Sequence, residues 1–156
     1  MTNEEMAQSY LLTSEYSLKQ AKMARTDGVW HLAIRRCQEA AEMALKATLR
    51  LVGLEVPKVH DVGLFLRENR ATFPPWFQAH VDRLVHISRG LRKDREVSVN
   101  GDKVLGLPPE RIFSQLDADE AVEEATFVLE ISRRLFEEFQ DSKGSDSETR
   151  LVEVGQ

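Results

Sequence analysis

Residues 30–51, WHLAIRRCQEAAEMALKATLRL, constrain the fold more than any other stretch. Trp30, Ile34, Cys37, Ala41, Ala44, Thr48 and Leu51 follow one another in alternating steps of four and three. That rhythm keeps one side of an α-helix turned toward a partner helix. Ala33, Ala40 and Ala47 widen the seam on one flank. Small side chains let neighbouring helices approach closely, so the stretch reads as the central helix of a bundle and not an outer one.

The flanking segments supply the partners. Thr2 and Glu5 have capping-box spacing, which predicts a first helix to about Arg25. Met6, Tyr10, Ser17, Ala21 and Ala24 share its inner face, with Leu11 and Leu18 beside them. Thr26-Asp27-Gly28 is a tight connection, so the central helix folds back antiparallel and ends near Gly53. A loop over Leu54–Lys58 leads to a short helix from about Asp61 to Asn69. Thr72-Phe73-Pro74-Pro75 breaks it and starts a third long helix, about Pro75 to Val97, in which Gly90 marks a close approach or a bend. Asn100-Gly101-Asp102 is a turn. The next segment is expected to be irregular but packed, because Val104, Leu105, Leu107, Ile112 and Phe113 are too apolar to stand in water. Asp117 with Glu120 repeats the capping spacing, so the last helix is expected from Ala118 to about Gln140. The fold class is all-α: an up-and-down bundle of four long helices plus one short helix over residues 1–142, followed by a mobile polar tail over 143–156.

Charge narrows the function classes. The net charge of −5 excludes nucleic-acid binding by bulk charge and leaves only a local basic patch on an acidic body. No run of about 18 apolar residues is present, so no membrane span is expected. The start, MTNEEMAQSY, is acidic and lacks the pattern of a secretory signal. Cys37 is the sole cysteine, so no intrachain disulfide can form, which fits a cytoplasmic protein. Its place on the seam makes it a buried thiol packed as a small hydrophobe rather than a nucleophile.

The strongest local charge feature is HISRGLRKDRE, residues 86–96. His86, Arg89, Arg92 and Lys93 lie three or four apart on one side of a helix, and Arg95 lies off that stripe but near the turn. Together with Arg83 these arginines and the lysine oppose Asp82, Asp94 and Glu96. Two readings stand: an anion site, since arginine forks match phosphate oxygens, or a solvated face laced with helical ion pairs. Gln38, Glu42 and Lys46 form a second stripe at steps of four. It is either a polar face, with Glu42 and Lys46 as a helical ion pair, or a stripe that meets another helix and sets register. His31, His60, His80 and His86 have no metal-ligand spacing, and HExxH, CxxC, GxGxxG, P-loop and serine-elbow patterns are absent, so neither a metal nor a cofactor is expected.

Gln38-Glu39-Ala40-Ala41-Glu42-Met43-Ala44-Leu45-Lys46-Ala47, with the later Val59-His60-Asp61, resembles the recurring core of the HEPN domain family. Ala21 and Ala24 before Gly28, Leu91 to Glu96, the Asn-Gly-Asp turn, Leu107-Pro108-Pro109 and the alanine-rich last helix are similar to archaeal-type members, so the match spans about residues 5–140. The resemblance implies an all-α bundle that forms a homodimer. It implies a nucleotide- or RNA-binding module or the partner of a minimal nucleotidyltransferase, often as a toxin–antitoxin pair. A structural protein–protein adaptor is the alternative reading. Other members are metal-independent ribonucleases with an Arg-x(4-6)-His motif near the end of the third long helix, in which histidine moves protons and arginine stabilises the phosphorane. Here Arg95 stands at the arginine position, but Val97 to Asp102 contains no histidine. The resemblance therefore assigns no catalytic residue and leaves His86, Arg89, Arg92, Lys93 and Arg95 as the nucleotide- or RNA-binding set. A ribonuclease would have to draw its histidine from elsewhere, such as His86 or a partner chain.

Overall fold

The computed structural model describes residues 1–56, 58 and 61–154, without the side chains of 145–154. Pro57, Val59 and His60 lie outside the described residues, and with them the Val59-His60 part of the HEPN resemblance. The described elements are helices α1 (Asn3–Thr26), α2 (Trp30–Leu51), α3 (Val62–Glu68), α4 (Pro75–Gln78), α5 (Val81–Asn100) and α6 (Gln115–Val154), with single 3-10 turns at Arg70–Thr72 and Pro109–Arg111. The fold is the expected all-α bundle.

Helix α2 holds the centre. It packs on α1, α6 and α5, whereas α5 and α6 touch each other only lightly. Twelve of its 22 residues are buried, including Ala33, Ala40, Ala41, Ala44 and Ala47, which leaves most of its circumference against other helices. Ser14 of α1 donates its hydroxyl to the Ala40 carbonyl at 2.7 Å, so the two backbones are about one small side chain apart. Cys37 is fully buried and its thiol is pushed up to about 12, chiefly by desolvation, which keeps it protonated and inert as a packing group.

The ends of α1 follow local rules. The Thr2 Oγ1 accepts from the Glu5 amide at 3.1 Å and the Glu5 carboxylate accepts from the Thr2 amide at 2.9 Å, which completes the capping box. Gly28 closes the α1–α2 turn with φ 76°, a region that other residues enter at a cost. The inner face of α1 is rotated from the expected one: Ala7, Leu11, Ser14, Ser17, Leu18 and Ala21 are buried, while Met6, Tyr10 and Ala24 are only half-buried. Ala7 and Ser14 are too small and too polar to register in an apolar count, yet the close α1–α2 approach needs them.

Four expectations are corrected. First, the third long helix is broken into α4 and α5 at Ala79–His80. The Arg70 guanidinium takes the Gln78 carbonyl at 3.0 Å, an acceptor that a continuous helix would use for its own ladder. Second, α6 starts at Gln115 and not Ala118. Ser114 caps it, donating its amide to Asp117 Oδ2 at 2.8 Å and accepting from the Asp117 amide at 3.4 Å, so Asp117 is the far arm of a box and not the cap. Third, α6 continues past Gln140 to Val154. Lys143 pairs with Glu4 of α1, which ties this extension to the bundle. Fourth, Val104 and Leu105 are 95% and 68% exposed, whereas Leu107, Ile112 and Phe113 are half-buried. The turn is held by polar bonds instead: Asp102 pairs with Leu107 across an isolated bridge, and its Oδ1 accepts from the Val104 and Leu105 amides at 3.0 Å. Gly101 permits this with φ 72°, and a Cβ there would lie 2.4 Å from the Leu107 carbonyl.

Candidate phosphate-binding cleft

Helix α5 positions the cleft, and α3 walls it. Val81, Leu84, Val85, Ile87 and Leu91 bury one side of α5, which turns His86, Arg89 and Lys93 outward by the helical period. Asp61 caps α3, accepting from the Gly63 amide at 2.9 Å and the Leu64 amide at 3.4 Å. Helix α3 packs on α5 with Gly63 facing Ser88, and a Cβ at Gly63 would press on the Asp61 cap, 3.2 Å from its Oδ1. Between the two helices lies an open cleft of about 540 Å³, lined by His86, Arg89, Arg92, Lys93 and Glu96 of α5 with Asp61 and Arg67 from the α3 side. Gly90 also lines it, exposed, with nothing within 4 Å of the position a Cβ would take. It marks no close approach, and α5 runs unbroken through it.

The structure thus brings together four of the five residues singled out in the basic stretch. Arg95 is the exception and lies outside the cleft lining. Arg92 is partly committed, with its Nη1 3.4 Å from Asp61 Oδ2. Among the described residues no carboxylate forms an ion pair with Arg67, Arg89 or Lys93. Arg83 is drawn to the opposite side, with its guanidinium carbon 3.7 Å from the centre of the Phe127 ring on α6. That side of α5 is acidic. The Asp94 carboxyl is raised by burial and then by Asp117, and the Glu124 carboxyl is raised by burial and then by Glu120. The cleft lining carries four arginine and lysine side chains against two carboxylates, Asp61 and Glu96, so it is locally positive on a chain whose net charge is −5.

Sequence reasoning missed Arg67 and Asp61 as lining residues, because their neighbours are remote in the chain. It also left open what the α2 stripe does. Gln38 is buried, whereas Glu42 and Lys46 form no ion pair with each other and line a second cleft, of about 290 Å³, beside the first. The available signal was the continuation of the stripe by one more step of four to Arg50, which lines the same cleft. Among the described residues no group of three or more His, Cys, Asp or Glu side chains could hold a metal ion.

A central alanine-seamed helix, three long helices packed on it and a cleft lined mainly by cations beside a short capped helix define an all-α bundle. The chain belongs to the HEPN domain family, whose model matches residues 7–135. It is similar in structure to ST0689, an archaeal HEPN homologue, with 24% identity and a TM-score of 0.64, over 83% of this chain and 97% of that one. It is similar also to TT1696 from Thermus thermophilus, with 22% identity and a TM-score of 0.65, over the same shares. At these identities the two likenesses show the fold. No curated protein matches the chain. Among the described residues no helix is long and apolar enough to cross a membrane.

Proposed function

We propose that the α3–α5 cleft binds phosphate groups of a nucleotide or of RNA. The observation that carries this reading is the convergence of Arg67, Arg89 and Lys93 on one concave surface with no carboxylate paired to any of them among the described residues. A planar guanidinium fork matches phosphate oxygens, and a groove raises the local concentration of anions more than a flat surface does. Arg95, outside the lining, is not part of this site.

The test is a titration of a short single-stranded RNA against wild type and the Arg89→Gln/Lys93→Gln variant at fixed low salt. Charge-assisted hydrogen bonds contribute about 1.5–3 kcal/mol each, so the variant is expected to bind at least tenfold more weakly. Both side chains are exposed, so the fold should survive the change. Equal affinity would remove the reading.

One observation favours catalysis as a second reading: His86 and Arg92 line the same cleft, although the sequence order reverses the family motif. Their roles would be proton transfer and phosphorane stabilisation.

We also propose that the chain works as a homodimer, alone or beside a nucleotidyltransferase partner, since HEPN domains commonly dimerise. Leu12, Tyr16 and Met23 are 66%, 63% and 59% exposed on one side of α1, an apolar surface that a second copy would cover. Light scattering at micromolar concentration should return about twice 17.8 kDa for wild type and a smaller mass for Leu12→Glu/Tyr16→Glu. A wild-type monomer would refute the dimer.

A further inference from the structure

The second cleft shares a wall with the first. Arg92 lines both, fixed between them by its ion pair with Asp61, the cap of α3. On the far side of Arg92 stand Lys46 and Arg50 of α2, Lys58 of the preceding loop and Tyr10 of α1. Among the described residues only Arg50 of these cations has a carboxylate partner, Glu55 at 3.4 Å, and that glutamate side chain is 82% exposed. Arg50 in contrast is 19% exposed, and its Nε is buried with no hydrogen-bond acceptor. Lys46 and Lys58 have no ion-pair partner among the described residues. Cations therefore outnumber carboxylates on both sides of Arg92: Arg67, Arg89 and Lys93 against Asp61 and Glu96 in the first cavity, and Lys46, Arg50 and Lys58 against Glu42 and Glu55 in the second.

A single phosphate cannot occupy both cavities. We infer that the two clefts are lobes of one site for a ligand with two phosphates separated by a nucleoside, as in a short single-stranded RNA. Arg92 lies between the phosphates, and Lys46, Arg50 and Lys58 hold the second. This inference rests on the phosphate-binding reading of the first cleft. The lobe volumes agree with the division. The first, about 540 Å³, falls in the range of small-molecule sites of about 300–1,000 Å³. The second, about 290 Å³, lies at its lower end and admits a smaller part of the ligand. Among the described residues Tyr10 is the one aromatic side chain lining the second lobe, a flat face on which a base can stack without sequence preference.

The experiment compares three probes: UMP with one phosphate, UDP with two adjacent phosphates, and the 5′-phosphorylated dinucleotide pUpU with two separated ones. The Lys46→Gln/Lys58→Gln variant is expected to bind pUpU about tenfold more weakly while its affinity for UMP is unchanged. With a longer single-stranded RNA its salt slope should fall by up to about 0.7, the value for one lost phosphate contact. Lys58 is exposed in a loop, so Lys58→Gln alone gives the same direction if the double variant melts early. Equal pUpU affinity in variant and wild type would overturn the second lobe, as would a loss for UDP as large as that for pUpU. The Arg89→Gln/Lys93→Gln variant separates the two readings. If it loses UMP while the Lys46/Lys58 variant keeps pUpU, the first cleft stands and the second lobe falls. If wild type binds none of the three probes, both fall.

Discussion

Replacing Phe77 by alanine is expected to cost about 3–5 kcal/mol, the usual range for truncating a fully buried phenylalanine. The ring is 0% exposed. It stacks on Phe73 with centroids 4.4 Å apart and meets the edge of Trp76 at 5.8 Å. These contacts cannot be remade by a small shift, because the short helix α4 that carries Phe77 is pinned by side chains on both flanks. Gln78 donates to the Phe73 carbonyl at 2.7 Å, and Trp76 donates its indole N–H to Glu138 at 2.6 Å. Surroundings held this way relax little, so the cavity persists and the cost sits in the upper part of the range. Equilibrium urea unfolding should show a lower midpoint with an unchanged slope. A loss below about 1 kcal/mol would mean that α4 is not a structural hinge of the core but an appendage.

Replacing Ala40 by leucine is expected to destabilise the protein by about 1–3 kcal/mol or more through overpacking. Ala40 is 0% exposed, and its carbonyl accepts the Ser14 hydroxyl at 2.7 Å. Three added carbons, a methine and two methyls, have no space there unless α1 moves out, which breaks that hydrogen bond and opens the largest interface of the bundle. Leu116→Ala, at a 66% exposed position on α6 outside the proposed dimer surface, is the matching control and should stay within about 0.5 kcal/mol of wild type. Thermal melts followed by circular dichroism distinguish the two, and a neutral Ala40→Leu would show that the alanine seam tolerates bulk.

Legibility from sequence followed range. The capping box at Thr2 and Glu5, the Gly28 turn and the α2 seam use neighbours within four residues or a period of one helix, so they are readable from the chain alone. The break at Ala79–His80 was not, because its cause is the Arg70 guanidinium reaching the Gln78 carbonyl from a separate turn. The exposed Val104 and Leu105 were misjudged because hydropathy counts the side chains, whereas backbone bonds to Asp102 decide the turn. At the site, the outward stripe of His86, Arg89 and Lys93 followed from helical spacing. Its fate did not, since solvated face and anion cleft share one sequence pattern.

What the sequence determined by itself was the all-α architecture and the central place of α2, because helical periodicity and small-residue spacing are local and repeat along the chain. Only the tertiary structure decided which charges stand free. Arg83 lies over Phe127, Arg92 is held by Asp61, and Arg89 and Lys93 are left to face a cleft walled by α3. The physical reason is that an ion pair or a cation–π contact needs about 4–6 Å between groups, and chain order does not set distances between helices.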